Sequence, residues 1–166
     1  MTGTLVVLLL ATASLADALP DNPYLEAVPA STEKVSSFVQ KVLDLTNQER
    51  TKRGLRPLAL QTELANSASW HAKDLSKRDT LSHSDHLGRS AAERAEAFGY
   101  GSWTRIGENV AAGQQSPEQV LQSWLASPLH RQNILDPQFT DVGIGYAENL
   151  EGSLGHYWVQ AFGAHK

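Results

Sequence analysis

The chain has 166 residues, enough for one domain with a real core and too few for two comfortable ones. Apolar residues make up 41% and charged residues 19%, values of an ordinary globular chain that exclude a disordered or coiled-coil one. The net charge of -4, without any basic run, argues against a nucleic-acid partner, because phosphate binding is driven mainly by clustered Lys and Arg.

Leu5 to Ala16 is an apolar stretch ending in small residues, the pattern of a secretory signal peptide. It falls short of the roughly 20 residues a helix needs to cross a bilayer. Cleavage after Ala16 or Ala18 suits the small residues at both points, and residues 1–18 are read as the signal. The segment before the stretch has no Lys or Arg, so a buried N-terminal helix is the competing reading. The expected location is secreted and extracellular, with no transmembrane segment after cleavage. Cysteine is absent. An exported domain of this kind must be stable through its core alone, and thiol nucleophiles and Cys-ligated zinc are excluded.

Residues 19–30 carry Pro20, Pro23 and Pro29 and read as an extended arm. The folded domain is expected over residues 31–166. Val35, Phe38, Val42 and Leu45 recur at helical spacing, and Gly54 with Pro57 gives the stop. A second helix starts at Thr62 as N-cap, carries Leu64, Ala68, Ala72 and Leu75 on its apolar stripe, and ends near Arg78. A third, Ala-rich helix spans Ser90 to Phe98, closed by Gly99 and Gly101. A fourth opens on Ser116-Pro117-Glu118-Gln119, with Ser as N-cap, Pro at the first helical position and Gln completing a capping box. Its buried face is Val120, Leu121, Trp124 and Leu125, with Trp124 as anchor.

Strand signals come late. Val142–Ala147 and Tyr157–Phe162 read as a hairpin across a polar turn, and Arg105–Ala111 as a further short strand. Helices early and strands late define an α+β domain without internal repeats.

Five blocks carry a resemblance. Leu45-Thr46-Asn47-Gln48-Glu49-Arg50 leads into Arg53-Gly54-Leu55 and Pro57-Leu58. Leu81-Ser82-His83-Ser84 is followed by Gly88-Arg89-Ser90, then by Ile106-Gly107-Glu108-Asn109-Val110-Ala111. Trp124 leads to Ser127-Pro128-Leu129-His130-Arg131-Gln132-Asn133-Ile134-Leu135. Val142-Gly143-Ile144-Gly145-Tyr146 and Tyr157-Trp158-Val159-Gln160 close the set. In this order they resemble the CAP superfamily (SCP-like, pathogenesis-related-1, cysteine-rich secretory proteins), and its bacterial-type SCP branch more than its disulfide-rich one. The resemblance covers about Val35 to Phe162. It implies a three-layer α-β-α sandwich with a mainly antiparallel central sheet, and a cleft that gathers His and Glu side chains. On the matching motifs, His83, Glu108 and His130 take the ligand positions, with Ser82, Asn109 and Arg131 lining or supporting the cleft. The family's second glutamate has no counterpart, since Leu125, Ala126 and Ser127 stand where it would fall.

Taken alone, two imidazoles and a carboxylate are the smallest protein set for zinc with an open position, but spacings of 25 and 22 residues do not by themselves force convergence. Each residue also has an ordinary reading. His71 sits on the apolar side of the second helix and reads as a packing histidine. His83 and His86 form H-x-x-H in a polar loop. Glu108 lies beside Gly107, which lets the backbone pass closely, while His130 can pack on Trp124 or cap a helix end. His156 in Gly155-His156-Tyr157 reads as a terminal-strand residue. There is no G-x-S-x-G elbow and no phosphate-binding glycine loop.

Three functions follow. The first is a secreted, non-catalytic extracellular binding module for a lipid, sterol or other amphipathic ligand, its His/Glu cleft able to hold a divalent metal such as weakly bound Zn²⁺. The second is a metal-dependent hydrolase or protease using the same cleft, and the third a wall-associated structural or adhesive protein tethered by the arm. No catalytic residue is assigned, because no complete set of base and oxyanion donors can be assembled.

Overall fold

The computed structural model describes residues 33–165. The expected signal peptide with its cleavage points and the expected proline-containing arm, on which a wall-attached role rests, lie outside the described residues. In chain order the elements are α1 (Glu33–Thr51), β1 (Ala59–Leu60), α2 (Thr62–Arg78), α3 (Ala91–Ala97), β2 (Trp103–Ala112), α4 (Pro117–Ala126), α5 (Pro128–Leu135), β3 (Asp141–Asn149) and β4 (Gly155–His165).

The strands form one sheet in the order β1-β3-β4-β2. The pairs β2–β4 and β3–β4 are antiparallel, whereas the two-residue β1 runs parallel to β3, so the sheet is mixed rather than purely antiparallel. Side-chain alternation separates two cores. Val142, Ile144, Tyr146, Trp158 and Phe162 pack with Val42 of α1, Val120, Leu121 and Trp124 of α4 and Ile134 of α5. On the other face Ala147, Tyr157, Val159 and Ala161 pack with Leu64, Ala68, Ala72 and Leu75 of α2 and Ala95 of α3. This is the α-β-α sandwich. Gly143 and Gly145 make the second interface close: a Cβ at either position would collide with the α2 backbone at Leu64, Ala65 or Ala68.

The opening motif does structural work. Asn47 closes the α1–β1 turn with a two-way clasp on Leu58, from its Nδ2 to the carbonyl (3.0 Å) and from the Leu58 N–H to its Oδ1 (2.8 Å). Arg50, 1% exposed, donates to the carbonyls of Arg56, Ile134, Asp136 and Phe139. It thereby satisfies the carbonyl end of α5, where a cation is favoured.

Local departures have local causes. The N-cap of α2 is Gln61, in extended conformation and without a side-chain cap bond, so Thr62 is the first helical residue rather than the cap. Ser116 does cap α4 through the Gln119 N–H, but the Gln119 side chain accepts from Gln115 N–H one residue earlier, so the box is displaced. The full capping box belongs to α3, between Ser90 and Glu93. Helix α5 was not expected as an element. Its eight residues are too few for an apolar stripe, and only Ile134 is buried.

Candidate functional site

Strand β2 ends the sheet, and Glu108 stands on its α2/α3 face, two residues from the buried Val110. The site assembles around this carboxylate. Its Oε1 meets His83 Nδ1 at 2.9 Å, and its Oε2 is held by the guanidinium of Arg94. The Glu108 side chain is 5% exposed and that of Arg94 is not exposed at all, while that of His83 is 60% exposed. A buried charge pair of this kind persists where further hydrogen bonds support it, here at every guanidinium nitrogen but the unpartnered Arg94 Nε. Arg94 Nη1 supplies them, donating to the carbonyls of His83 (3.0 Å) and Arg89 (2.7 Å), so one cation fixes both the carboxylate and the loop carrying the imidazole.

Electrostatics follow from the geometry. The hydrogen bond to Glu108 raises the pKa of His83 above the ordinary imidazole value, against the opposing effect of burial. With a carboxylate as acceptor, Nδ1 carries the proton, and Nε2 is an acceptor when the ring is neutral and a donor when it is charged. His71 supports the loop from beneath: fully buried on α2, it bonds through Nε2 to the Ser82 carbonyl at 3.0 Å. Desolvation lowers its pKa, which keeps it neutral.

The other half of the site comes from the opposite layer. Asn109, adjacent to Glu108 but pointing to the α1/α4/α5 face, donates to the His130 carbonyl (3.1 Å) and to Gln160 Oε1 (3.2 Å). Asn133 donates to Asn109 Oδ1 (2.9 Å) and to the Glu108 carbonyl (3.1 Å), and Gln160 donates to Thr46 (2.9 Å). This buried amide ladder seats α5 on β2. Gly107 makes the seat possible, because a Cβ there would lie 2.7 Å from the Phe139 ring and 3.3 Å from Asn133 Oδ1. Burial and the charge on His83 both lower the pKa of His130, so the two imidazoles sense each other around the strand edge.

Of the supporting residues, Ser82 accepts from the Ser84 N–H (2.9 Å), shaping the His83 loop, Asn109 is the core of the amide ladder, and Arg131 is exposed on α5. His86 lies elsewhere, bonded to Asp74 at 2.7 Å and set against Trp70. His156 contacts the Tyr146 hydroxyl on the terminal strand.

Both Glu108 oxygens are engaged, and among the described residues no three His, Asp or Glu side chains gather as a ligand group. What opens beside the pair is a cleft of about 320 Å³, lined by Ala91, Ala92, Trp103 and Ile106 with His83 and Glu108 at its polar end. Arg94 and the apolar wall escaped the sequence reading. The one available signal for Arg94 was a lone arginine on the inner side of an Ala-rich helix.

The profile of the CAP family, the cysteine-rich secretory protein family, matches residues 43–162. The uncharacterized protein YkwD of Bacillus subtilis (strain 168) is 38% identical over 144 residues, covering 81% of this chain and 54% of that protein. The uncharacterized membrane protein YlbC of the same strain is 31% identical over 114 residues, 68% of this chain and 33% of that protein. The chain thus spans about half of one curated relative and a third of the other. Among solved structures, an extracellular protein containing an SCP domain from Bacillus anthracis superposes with a TM-score of 0.71 at 28% identity, over 81% of this chain and 44% of that one. An outer surface protein of Borrelia burgdorferi shares the fold, with a TM-score of 0.72 at 20% identity over 82% of this chain and 97% of its own.

Proposed function

This chain belongs to the CAP family, and from that premise we propose that it is a secreted, non-catalytic binding module whose cleft beside β2 takes an amphipathic ligand. The observation that carries the reading is the double engagement of Glu108. With one oxygen on His83 and the other on buried Arg94, the carboxylate is a fixed structural charge and not a free base. The cleft therefore offers one polar end and an apolar wall, the composition of a ligand pocket. Among the described residues no helix is long and apolar enough to cross a membrane. Titration with dansyl-labelled undecanoic acid tests the reading. Saturable binding is expected, weakened about tenfold in Trp103→Ala, which removes the wall's largest side chain. No binding, or equal binding by the variant, defeats it.

A second reading keeps the metal. A carboxylate bonded to one imidazole nitrogen is the usual means of orienting the other toward an ion, and His83 is held in that way. Zn²⁺ would then rest on His83 and His130, with Glu108 behind His83 instead of on the ion. Calorimetric titration of Zn²⁺ into the wild type, His83→Ala and His130→Ala checks it: both variants must lose the binding.

A further inference from the structure

The outer edge of β2 is open where the cleft runs along it. In an antiparallel pair, successive residues turn their N–H and C=O groups alternately toward the partner strand and away from it. The Gly163 carbonyl accepts from the Thr140 N–H at 3.1 Å, on the β3 side of β4. Ile106, the register partner of Gly163 on β2, therefore turns its backbone groups outward. Glu108 turns the same way, and the group that meets its carbonyl is the Asn133 side-chain amide, not a strand. Among the described residues, no backbone hydrogen bond outside the sheet ladder involves Ile106 or Glu108. Proteins blunt such an edge with Lys, Pro, other charges or bulges; Trp103–Ala112 has neither Lys nor Pro, and its two charges are spent in ion pairs, Arg105 with Asp136 and Glu108 with Arg94. A break in register between Trp103 and Arg105 is the one irregularity of the strand.

We propose that an extended peptide segment carrying a carboxylate side chain adds to β2 as a further strand, pairing its backbone with Ile106 and Glu108 beside His83 and Trp103. This names the ligand class for the binding-module reading and rests on it. Two observations select a peptide. The outward N–H and C=O of Ile106 and the N–H of Glu108 call for a partner with alternating acceptors and donors, which a peptide backbone supplies and an acyl chain does not. An acyl chain laid here fills the apolar wall but leaves these groups unmatched, so it should bind there more weakly than a peptide. The carboxylate follows from the geometry of the polar end: the ionisable groups lining the cleft are His83 and Glu108, Glu108 is paired with buried Arg94, and the ring of His83, held at Nδ1 and largely exposed, has Nε2 left to donate to a carboxylate in its protonated form. At about 320 Å³ the cleft is at the small end of ligand pockets, roughly 300–1,000 Å³. It accommodates side chains entering from an edge-bound strand rather than a whole folded partner.

A bead-bound hexapeptide library with one fixed Glu, screened against the whole protein, supplies the probe. The best binder is resynthesised with each amide N-methylated in turn, and amide hydrogen exchange is followed by NMR. Micromolar binding is expected. N-methylation should weaken it about tenfold at alternate amides only, and the peptide should slow exchange at Ile106 and Glu108 while Gly107, already paired to β4, changes little. A binder with a flat methylation profile, or one that leaves Ile106 and Glu108 exchanging as before, overturns the proposal. So does the absence of any binder at about 1 mM. If dansyl-labelled undecanoic acid still binds in that case, the binding-module reading survives, and if it does not, both fall.

Discussion

Three residues apart on one loop, His83 and His86 head two assemblies with the same parts. In each, Nδ1 of an imidazole meets a buried carboxylate whose other oxygen is held by an arginine: Glu108 and Arg94 for His83, Asp74 and Arg78 for His86. Their construction differs. Asp74 and Arg78 lie one helical turn apart on α2, and the Arg78 side chain is 32% exposed. Glu108 and Arg94 come from β2 and α3, and Arg94 is sealed from solvent. Beside the first pair a cleft opens, and beside the second an imidazole rests on Trp70. The same three chemical groups make a local helix clasp when their partners are near in sequence, and a rigid polar end to a cleft when the sheet brings distant ones together.

The largest test of this contrast is to remove each arginine. Arg94→Met leaves Glu108 buried without its cation and the His83 carbonyl without its guanidinium donor, and should cost about 3–5 kcal/mol in urea unfolding. Arg78→Met removes a partly exposed i,i+4 partner and should cost at most about 1 kcal/mol. Equal losses would erase the distinction between the two assemblies.

His71 offers a smaller test, since it holds at Ser82 the loop both assemblies share. Its folded pKa is depressed by burial, so protonation favours the unfolded chain as pH falls below the ordinary imidazole value. Stability should then drop by up to about 1.4 kcal/mol per pH unit below pH 6.5. His71→Gln keeps a donor for Ser82 and cannot titrate, so its acid limb should be flatter; an unchanged slope would assign the acid loss to other groups.

The smallest effect lies in His83 itself. Its folded pKa is raised, so the contribution of its bond to Glu108 is full below about pH 6.5 and is lost as pH climbs through the folded value. On an exposed ring this amounts to a few tenths of a kcal/mol, roughly. The titration is the sharper readout: by NMR, Glu108→Gln should bring the His83 pKa down toward about 6.5. A His83 curve indifferent to that change would mean the bond is not formed in solution.

Much of the fold was legible because it is written in neighbouring residues. The spacing of Leu64, Ala68, Ala72 and Leu75 sets the buried face of α2, and Ser116-Pro117 fixes the start of α4. The alternation in Val142–Tyr146 and Tyr157–Phe162 marks the hairpin strands. The ordered motifs supplied the family and named His83, Glu108 and His130. Helix α5 and β1 were missed because each is too short to show a period. Arg94 was missed because nothing near it in the chain shows that its partner lies 14 residues away on a strand.

By itself, then, the sequence determined the order and type of the longer elements and the family, and its motifs named His83 and Glu108, since periodicity, capping and motif order are properties of adjacent residues. Tertiary structure alone decided what those side chains are free to do. Whether Glu108 is a ligand, a base or a fixed charge depends on Arg94 reaching it from α3, and whether β2 has an open edge depends on which strand ends the sheet. Both are long-range outcomes of packing two helical layers on four strands, and no local pattern encodes them.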